Sequence, residues 1–230
     1  MAGRISYLGG IVTQGLVLDL DAAKRDSYVG TGTAWNDISG NQNNGTLING
    51  PTFNSGNGGS IVFDGVNDFC NLGTSFTNLT TQLTINFWGK ISGSPIDGVI
   101  VTKGENDETV TSNFGFQIAP SLRLRLYAKA SGAGYTTIDS NTNIIDNNIN
   151  NYTLTYNAGA VIFYKNGTLY SSHTFGLITL PSSTGPLYVA TLKGYTGYYP
   201  GNIYNTTIYN RPLSASEVLQ NYNATKGRYL

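Results

Sequence analysis

The chain predicts an all-β fold, two antiparallel sheets packed as a sandwich, closed by one short C-terminal helix. Three observations carry this. Apolar and polar residues alternate with period two along most of the chain, the signature of half-buried strands. Turn residues break that alternation at short intervals, with 29 Gly and 26 Asn among 230 residues. Helical periodicity with start and stop signals occurs once, near the end. At this length a single large β domain is as natural as two small ones, and no Pro/Ser-rich linker or internal repeat divides the chain.

Taken in order, the first 14 residues show no alternation and read as an arm, with residues 15–230 as one domain. Asn36 to Gly59 is dense in Asn and Gly and reads as a long irregular excursion. Leu83, Ile85 and Phe87 alternate with Thr84, Asn86 and Trp88, giving one buried and one solvated face. Leu122, Leu124 and Leu126 do the same against Arg123, Arg125 and Tyr127. Leu154 and Tyr156 alternate with Thr153 and Thr155, and Val161–Tyr164 and Thr168–Tyr170 follow after Asn157-Ala158-Gly159 and Lys165-Asn166-Gly167. An Asn-Gly pair between strand residues is a strong hairpin signal, because both central positions need positive φ; three strands therefore form a meander. At the end, Ser214 is an N-cap with Glu217 three residues on, Leu213 sits at the staple position, and Gly227 is the expected stop after about two turns.

Composition excludes several functions. Charged residues are 11%, with 13 Lys+Arg against 13 Asp+Glu and a pI near 6.5, so there is no long-range field for nucleic acid or an anionic membrane. One Cys forms neither an internal disulfide nor a Cys-based zinc site, and one His makes no histidine cluster. No stretch approaches the ~20 apolar residues of a membrane span. The first ten residues lack the apolar core of a secretory signal, which leaves use without such export, or a trimmed signal, as the expectations. Six N-x-S/T sequons occur, close to the roughly five that chance gives with 26 Asn and a fifth of all residues Ser or Thr, and carry no inference about glycosylation.

Several blocks resemble a known family. Phe63-Asp64-Gly65-Val66-Asn67-Asp68-Phe69 is similar to a block of laminin G-like domains in the concanavalin A-like superfamily. Leu83–Trp88 resembles the strand that follows it there, and Tyr164-Lys165-Asn166-Gly167 the family's aromatic hairpin. Gly201-Asn202-Ile203 with Ile208-Tyr209-Asn210-Arg211-Pro212-Leu213-Ser214-Ala215-Ser216-Glu217 matches its closing block, the most specific of the set. The resemblance implies a jelly roll. In the front half, Gly15–Ala22, Trp35–Asn41 and Asn44–Leu47 look like a variant common in virion proteins of tailed, especially marine, bacteriophages.

Catalysis finds little support in the residues. Glycoside hydrolases need two carboxylates across the scissile bond, and the three Glu are Glu105, Glu108 and Glu217. Glu217 belongs to the helix cap, and Glu105-Asn106-Asp107-Glu108 has the wrong spacing and reads as a solvated loop. His173, at a strand end, has no nucleophile-elbow partner and reads as an exposed polar residue. Cys70 reads as a small buried apolar residue.

Binding offers three features. Asp19/Asp21, Asp37 with Asn41 and Asn43, and Asp64/Asp68 are candidate oxygen ligands for a structural calcium, as in many relatives; the alternative is Asx turn chemistry. Neither reading requires a cofactor. Trp88, Arg123, Arg125, Tyr127 and Lys129 stand on polar registers and are candidates for stacking and hydrogen-bonding a sugar, against the alternative of a solvated face or a Trp covered by a loop. Gly194–Pro200 presents Tyr195 and Tyr198 as exposed contact candidates, and the family resemblance implies that Tyr199, ahead of Gly201, turns into the core.

The leading expectation is a non-catalytic virion protein of the capsid or tail, assembled in the host cytoplasm. Arg4, Ile5, Tyr7 and Leu8 of the arm would dock on other virion proteins, with trimeric self-association a further expectation, while the sandwich faces host-surface glycans. The alternative is an extracellular carbohydrate-binding module. No nucleic-acid or membrane partner is expected.

Overall fold

In the computed structural model, residues 9–76, 78–92, 98–105, 113–130, 132–143, 146–194 and 197–230 are described. The alternation pairs into two antiparallel sheets. The first contains β1 (Leu16–Asp21), β4 (Thr52–Asn54), β5 (Ser60–Asp64), β7 (Gln82–Ile91), β12 (Asn150–Asn157), β13 (Ala160–Lys165), β14 (Thr168–Thr174) and β16 (Pro200–Tyr209). Its order is β14-β13-β12-β7-β16-β5-β4, with β1 on the second half of β16. The second contains β2 (Ala34–Trp35), β3 (Gly45–Ile48), β6 (Phe69–Asn71), β8 (Gly98–Lys103), β9 (Asn113–Ile118), β10 (Leu124–Lys129), β11 (Tyr135–Asp139) and β15 (Leu187–Val189). Its order is β11-β10-β9-β8-β15-β6-β3-β2. Sequence neighbours thus switch sheets repeatedly, the mark of a jelly roll.

One apolar core lies between the sheets. Leu83, Ile85 and Phe87 of β7, Leu154 and Tyr156 of β12, Phe114 and Phe116 of β9, and Leu124 and Leu126 of β10 are all inside it. Edge-on and stacked rings join the layers, with Phe87 and Phe116 at 6.0 Å and Phe116 and Phe163 at 6.3 Å between centroids. The expected meander is present: β12, β13 and β14 follow one another, and Asn166 (φ 51°) and Gly167 (φ 75°) form the turn between the last two.

The structure corrects four local expectations. The excursion from Asn36 holds two short strands, β3 and β4. Leu122 is not in a strand; it sits in a turn at φ 58°, and β10 begins two residues later. The helix α1 spans Ala215–Tyr229, twice the expected length, and runs through Gly227. Its capping box is formed as expected, and Leu213 and Val218 share a cluster beside it. Finally, Gly9–Gln14 are part of the domain. Val12 is buried, its amide donating to Asn221 Oδ1 (2.8 Å) and its carbonyl accepting from Tyr209 Oη (3.0 Å), while Gln220 holds the Gly10 carbonyl. Arg4, Ile5, Tyr7 and Leu8 lie outside the described residues.

Helix α1 covers the outer face of the first sheet. Beneath it runs a buried layer that is polar: Asn86, Asn151, Thr153 and Thr207 are joined by side-chain hydrogen bonds, among them Asn151 Nδ2 and Thr153 Oγ1 to Asn86 Oδ1 at 2.8 and 2.7 Å. The outer face of the second sheet has no helix on it among the described residues.

Candidate functional site

That second outer face is where alternation delivers functional side chains. With Leu124, Leu126 and Ala128 in the core, Arg125, Tyr127 and Lys129 project outward from β10. Register sets Asp139, Thr137 and Tyr135 of β11 beside them on one flank. On the other flank stand Gln117, Gly115 and Asn113 of β9. Next to Gly115 comes Thr102 of β8, and next to that Tyr188 of β15.

Gly115 is what lets the middle row lie flat. A Cβ there would fall 2.5 Å from Tyr127 Oη and 2.6 Å from the Val101 carbonyl. Tyr127 accordingly crosses it to hydrogen-bond Thr102 Oγ1. The ring is buried with Val99 and Leu192. Leu192 follows β15 on the way to β16 of the first sheet, and on the same path the Gly197 carbonyl accepts the Val99 amide (3.2 Å) and the Tyr199 amide donates to the Ala190 carbonyl (2.9 Å). Leu192 covers the ring at the centre of the face; Tyr198 is half-buried and Tyr199 fully buried as expected. Tyr195 lies outside the described residues.

Around that centre the rim formed by the described residues is polar and partly exposed. Arg125 grips Asp139 through two hydrogen bonds of 2.5 and 2.9 Å, with the side chains 23% and 24% exposed. Tyr135 is 45% exposed. Its ring meets Tyr127 edge-on at 5.9 Å, and Lys129 Nζ stands 5.3 Å from its centroid. Asn113 is fully buried; its Nδ2 donates to the Glu105 carbonyl (3.0 Å), while its Oδ1 receives no hydrogen bond. Glu105 accepts from Tyr188 Oη and pairs with Lys193 at 3.2 Å. Burial pushes the Tyr188 phenol up, and the Glu105 carboxylate adds to it. Arg123, one residue ahead of β10, is half-buried, its carbonyl accepting the Ala119 amide (2.8 Å).

The structure therefore brings Arg125, Tyr127 and Tyr198 to one face and separates Trp88 from them. Trp88 lies on the other sheet and is fully buried under α1. Its Nε1 donates to Thr225 Oγ1 (2.8 Å), and its ring stacks on Tyr222 at 5.5 Å and 13°. It is on the polar register as read, but a helix from 130 residues downstream covers that register. Tyr127, likewise, is a supporting ring rather than an exposed one. Tyr135 was not singled out in the sequence; the signal was the alternation of Tyr135, Thr137 and Asp139 after Gly134.

The remaining candidates are engaged elsewhere. Asp37 accepts from the Asp19 and Ser39 amides at Oδ1 and from Ser39 Oγ and the Asn43 amide at Oδ2, all at 2.9–3.0 Å. Asp64 Oδ1 accepts three backbone amides, those of Val66, Asn67 and Asp68; burial works against its carboxylate, yet these donors hold it below its ordinary range. Asp21 is gripped by Arg228 and Tyr229. Among the described residues no three His, Cys, Asp or Glu side chains gather as metal ligands would. Glu217 is the helix cap and also pairs bidentately with Arg211, which holds its carboxyl at about 2. Glu105 is half-buried and paired rather than solvated, and Glu108 lies outside the described residues. His173 is not exposed: half-buried against Phe163 at 6.0 Å, its Nε2 finds no partner. Cys70 is fully buried, which pushes its thiol up.

Similar folds occur among solved structures. Domain 4 of AbnA, an extracellular arabinanase from Geobacillus stearothermophilus solved with arabinotriose, aligns at TM-score 0.69 and 16% identity, over 90% of this chain and 98% of that one. The ligand-binding domain of botulinum neurotoxin serotype D, solved with N-acetylneuraminic acid, aligns at 0.68 and 16%, over 93% and 52%. Trypanosoma rangeli sialidase aligns at 0.65 and 16%, over 92% and 33%, so the chain spans about half and a third of these two. No curated protein matches the sequence. The family described as the concanavalin A-like lectin/glucanases superfamily, in its third laminin G group, matches residues 63–219. By the two-sheet jelly roll and by that match over most of its length, the chain belongs to the concanavalin A-like lectin/glucanase superfamily.

Proposed function

We propose that this protein is a non-catalytic glycan-binding domain that reads sugars on the rim of the second sheet's outer face. One observation carries the proposal: the exposed Tyr135 ring stands beside Lys129 and the Arg125–Asp139 pair. A half-exposed aromatic ring offers a sugar its apolar face, and a planar cation–carboxylate pair offers both donors and acceptors to hydroxyls. The sugars held by the arabinanase domain and the neurotoxin domain support the class of ligand. The engagement of Glu105 and Glu217 in structural pairs supports a role without catalysis.

The finer setting we propose is the surface of a bacteriophage particle. It rests on the resemblance of Gly15–Ala22, Trp35–Asn41 and Asn44–Leu47 to virion proteins. The segment ahead of Gly9, with Arg4, Ile5, Tyr7 and Leu8, would supply the contact with other virion proteins. A structural calcium is no part of this reading.

A glycan array tests the reading. The natural chain should retain a subset of glycans, Tyr135→Ala should lose about three- to tenfold in affinity for them, as loss of a stacking ring implies, and Trp88→Phe should retain them. Silence on every glycan overturns it. Removing residues 1–8 should prevent incorporation into particles while leaving glycan binding intact; retained incorporation overturns the virion contact.

A further inference from the structure

A second polar depression lies away from that face, where β1, the turn after β2, the strand-free run before β7 and the end of β16 converge. It has a volume of about 270 Å³ and is lined by Asn41, Asn43, Asn78 and Asn210, with Phe76 and Leu79 among its apolar residues. Phe76 and Leu79 are core residues and form the floor. Two of the four amides are fixed in one orientation. Asn41 Nδ2 donates to the Leu16 carbonyl (3.1 Å) and Ser39 Oγ (2.9 Å), and Asn43 Nδ2 donates to the Val17 carbonyl (2.9 Å). Their loop is itself tied down, since Asp37 holds the Ser39 and Asn43 amides.

Asn41 Nδ2 has both hydrogens engaged and offers the pocket its Oδ1, an acceptor, while Asn43 spends one N–H on the Val17 carbonyl and offers its other N–H and Oδ1. Asn78 and Asn210 are exposed and add amides able to donate as well as accept. The pocket thus presents amide donors and acceptors, two of the amides fixed in orientation, over an apolar floor. No acidic side chain lines the pocket among the described residues, and both oxygens of Asp37, which ties down the Asn41–Asn43 loop, are already taken by N–H and O–H donors. A hard cation prefers charged oxygens, and an ammonium group prefers a carboxylate or an aromatic face. A neutral sugar ring, with hydroxyl donors at its edge and C–H bonds on its face, matches the lining. The volume sits just below the ~300 Å³ at which drug-sized sites begin, a size for one ring rather than a chain.

We infer that this amide-lined pocket is a second binding site, for a single neutral monosaccharide unit, independent of the reading of the outer face. The test is an NMR titration of the full chain, following the side-chain amides of Asn41, Asn43, Asn78 and Asn210. The probes are methyl glycosides of glucose, galactose, mannose and N-acetylglucosamine at millimolar concentrations, and calcium chloride alone. At least one glycoside should move the four amides together and saturably. Asn78→Leu should weaken that response about tenfold or more at an unchanged melting temperature, since Asn78 is exposed. Tyr135→Ala should leave it intact, which separates this site from the outer face. The inference fails if no glycoside moves these amides, if calcium alone does, if Asn78→Leu binds as the natural chain does, or if Tyr135→Ala abolishes the response.

Discussion

Asp19 shows how one buried carboxyl governs pH dependence. It lies beneath α1, held by Asn205 Nδ2 at 2.8 Å, and burial pushes its carboxyl up to about 6 from 3.8. The native chain then keeps a proton that the unfolded chain releases. Stability therefore falls as pH rises between those two values, and the whole cost, about 3 kcal/mol, is present above pH ~6. Asp19→Asn keeps an oxygen for Asn205 and removes the ionisation. It should raise the melting temperature at pH 7.5 and leave it nearly unchanged at pH 3.5; equal effects at both would show that the carboxylate is not the cause. Trp88 and Tyr135 mark what single residues can tell. The sequence reading put Trp88 on an outward register and passed over Tyr135, whose register is also outward, and alternation carries no information about what lies on top. Trp88 received a helix; Tyr135 received solvent.

At the scale of elements, α1 was legible at its start and not at its end. Ser214 and Glu217 formed the box their spacing implies, because that contact is local. Gly227 did not stop the helix, because Thr225 and Tyr229 are anchored on the sheet through Trp88 and Asp21, and tertiary packing outweighs a glycine's cost of about 1 kcal/mol. A methyl group at Gly227 would meet nothing within 4 Å. Gly227→Ala should therefore stabilise the protein by about 0.5–1 kcal/mol in urea unfolding; no gain would mean that the last turn is frayed in solution. The meander was read correctly for the same local reason as the cap, since Asn166-Gly167 sets its own turn. The pairing of β1 with β16, some 190 residues apart, left no trace in either strand alone.

Across the whole molecule, the two outer faces have opposite fates. The first is closed by α1 over a layer of amides, hydroxyls and rings; on the second, among the described residues, Leu192 covers the centre and a polar, partly exposed rim surrounds it. Ending the chain after Arg211 should expose Trp88, Tyr204 and Tyr209 together, and the product should bind a hydrophobic dye and elute as aggregate in size-exclusion chromatography. A monodisperse product would mean that the helix is dispensable. The closing of one face also fixes an orientation. Gly9–Gln14 and α1 pack against each other on the covered side, so a support joined through either end holds the molecule by its back. The rim proposed to read sugars then points away from the support, and many copies side by side on one surface would offer a carpet of weak, identical contacts whose grip comes from number rather than from any one of them.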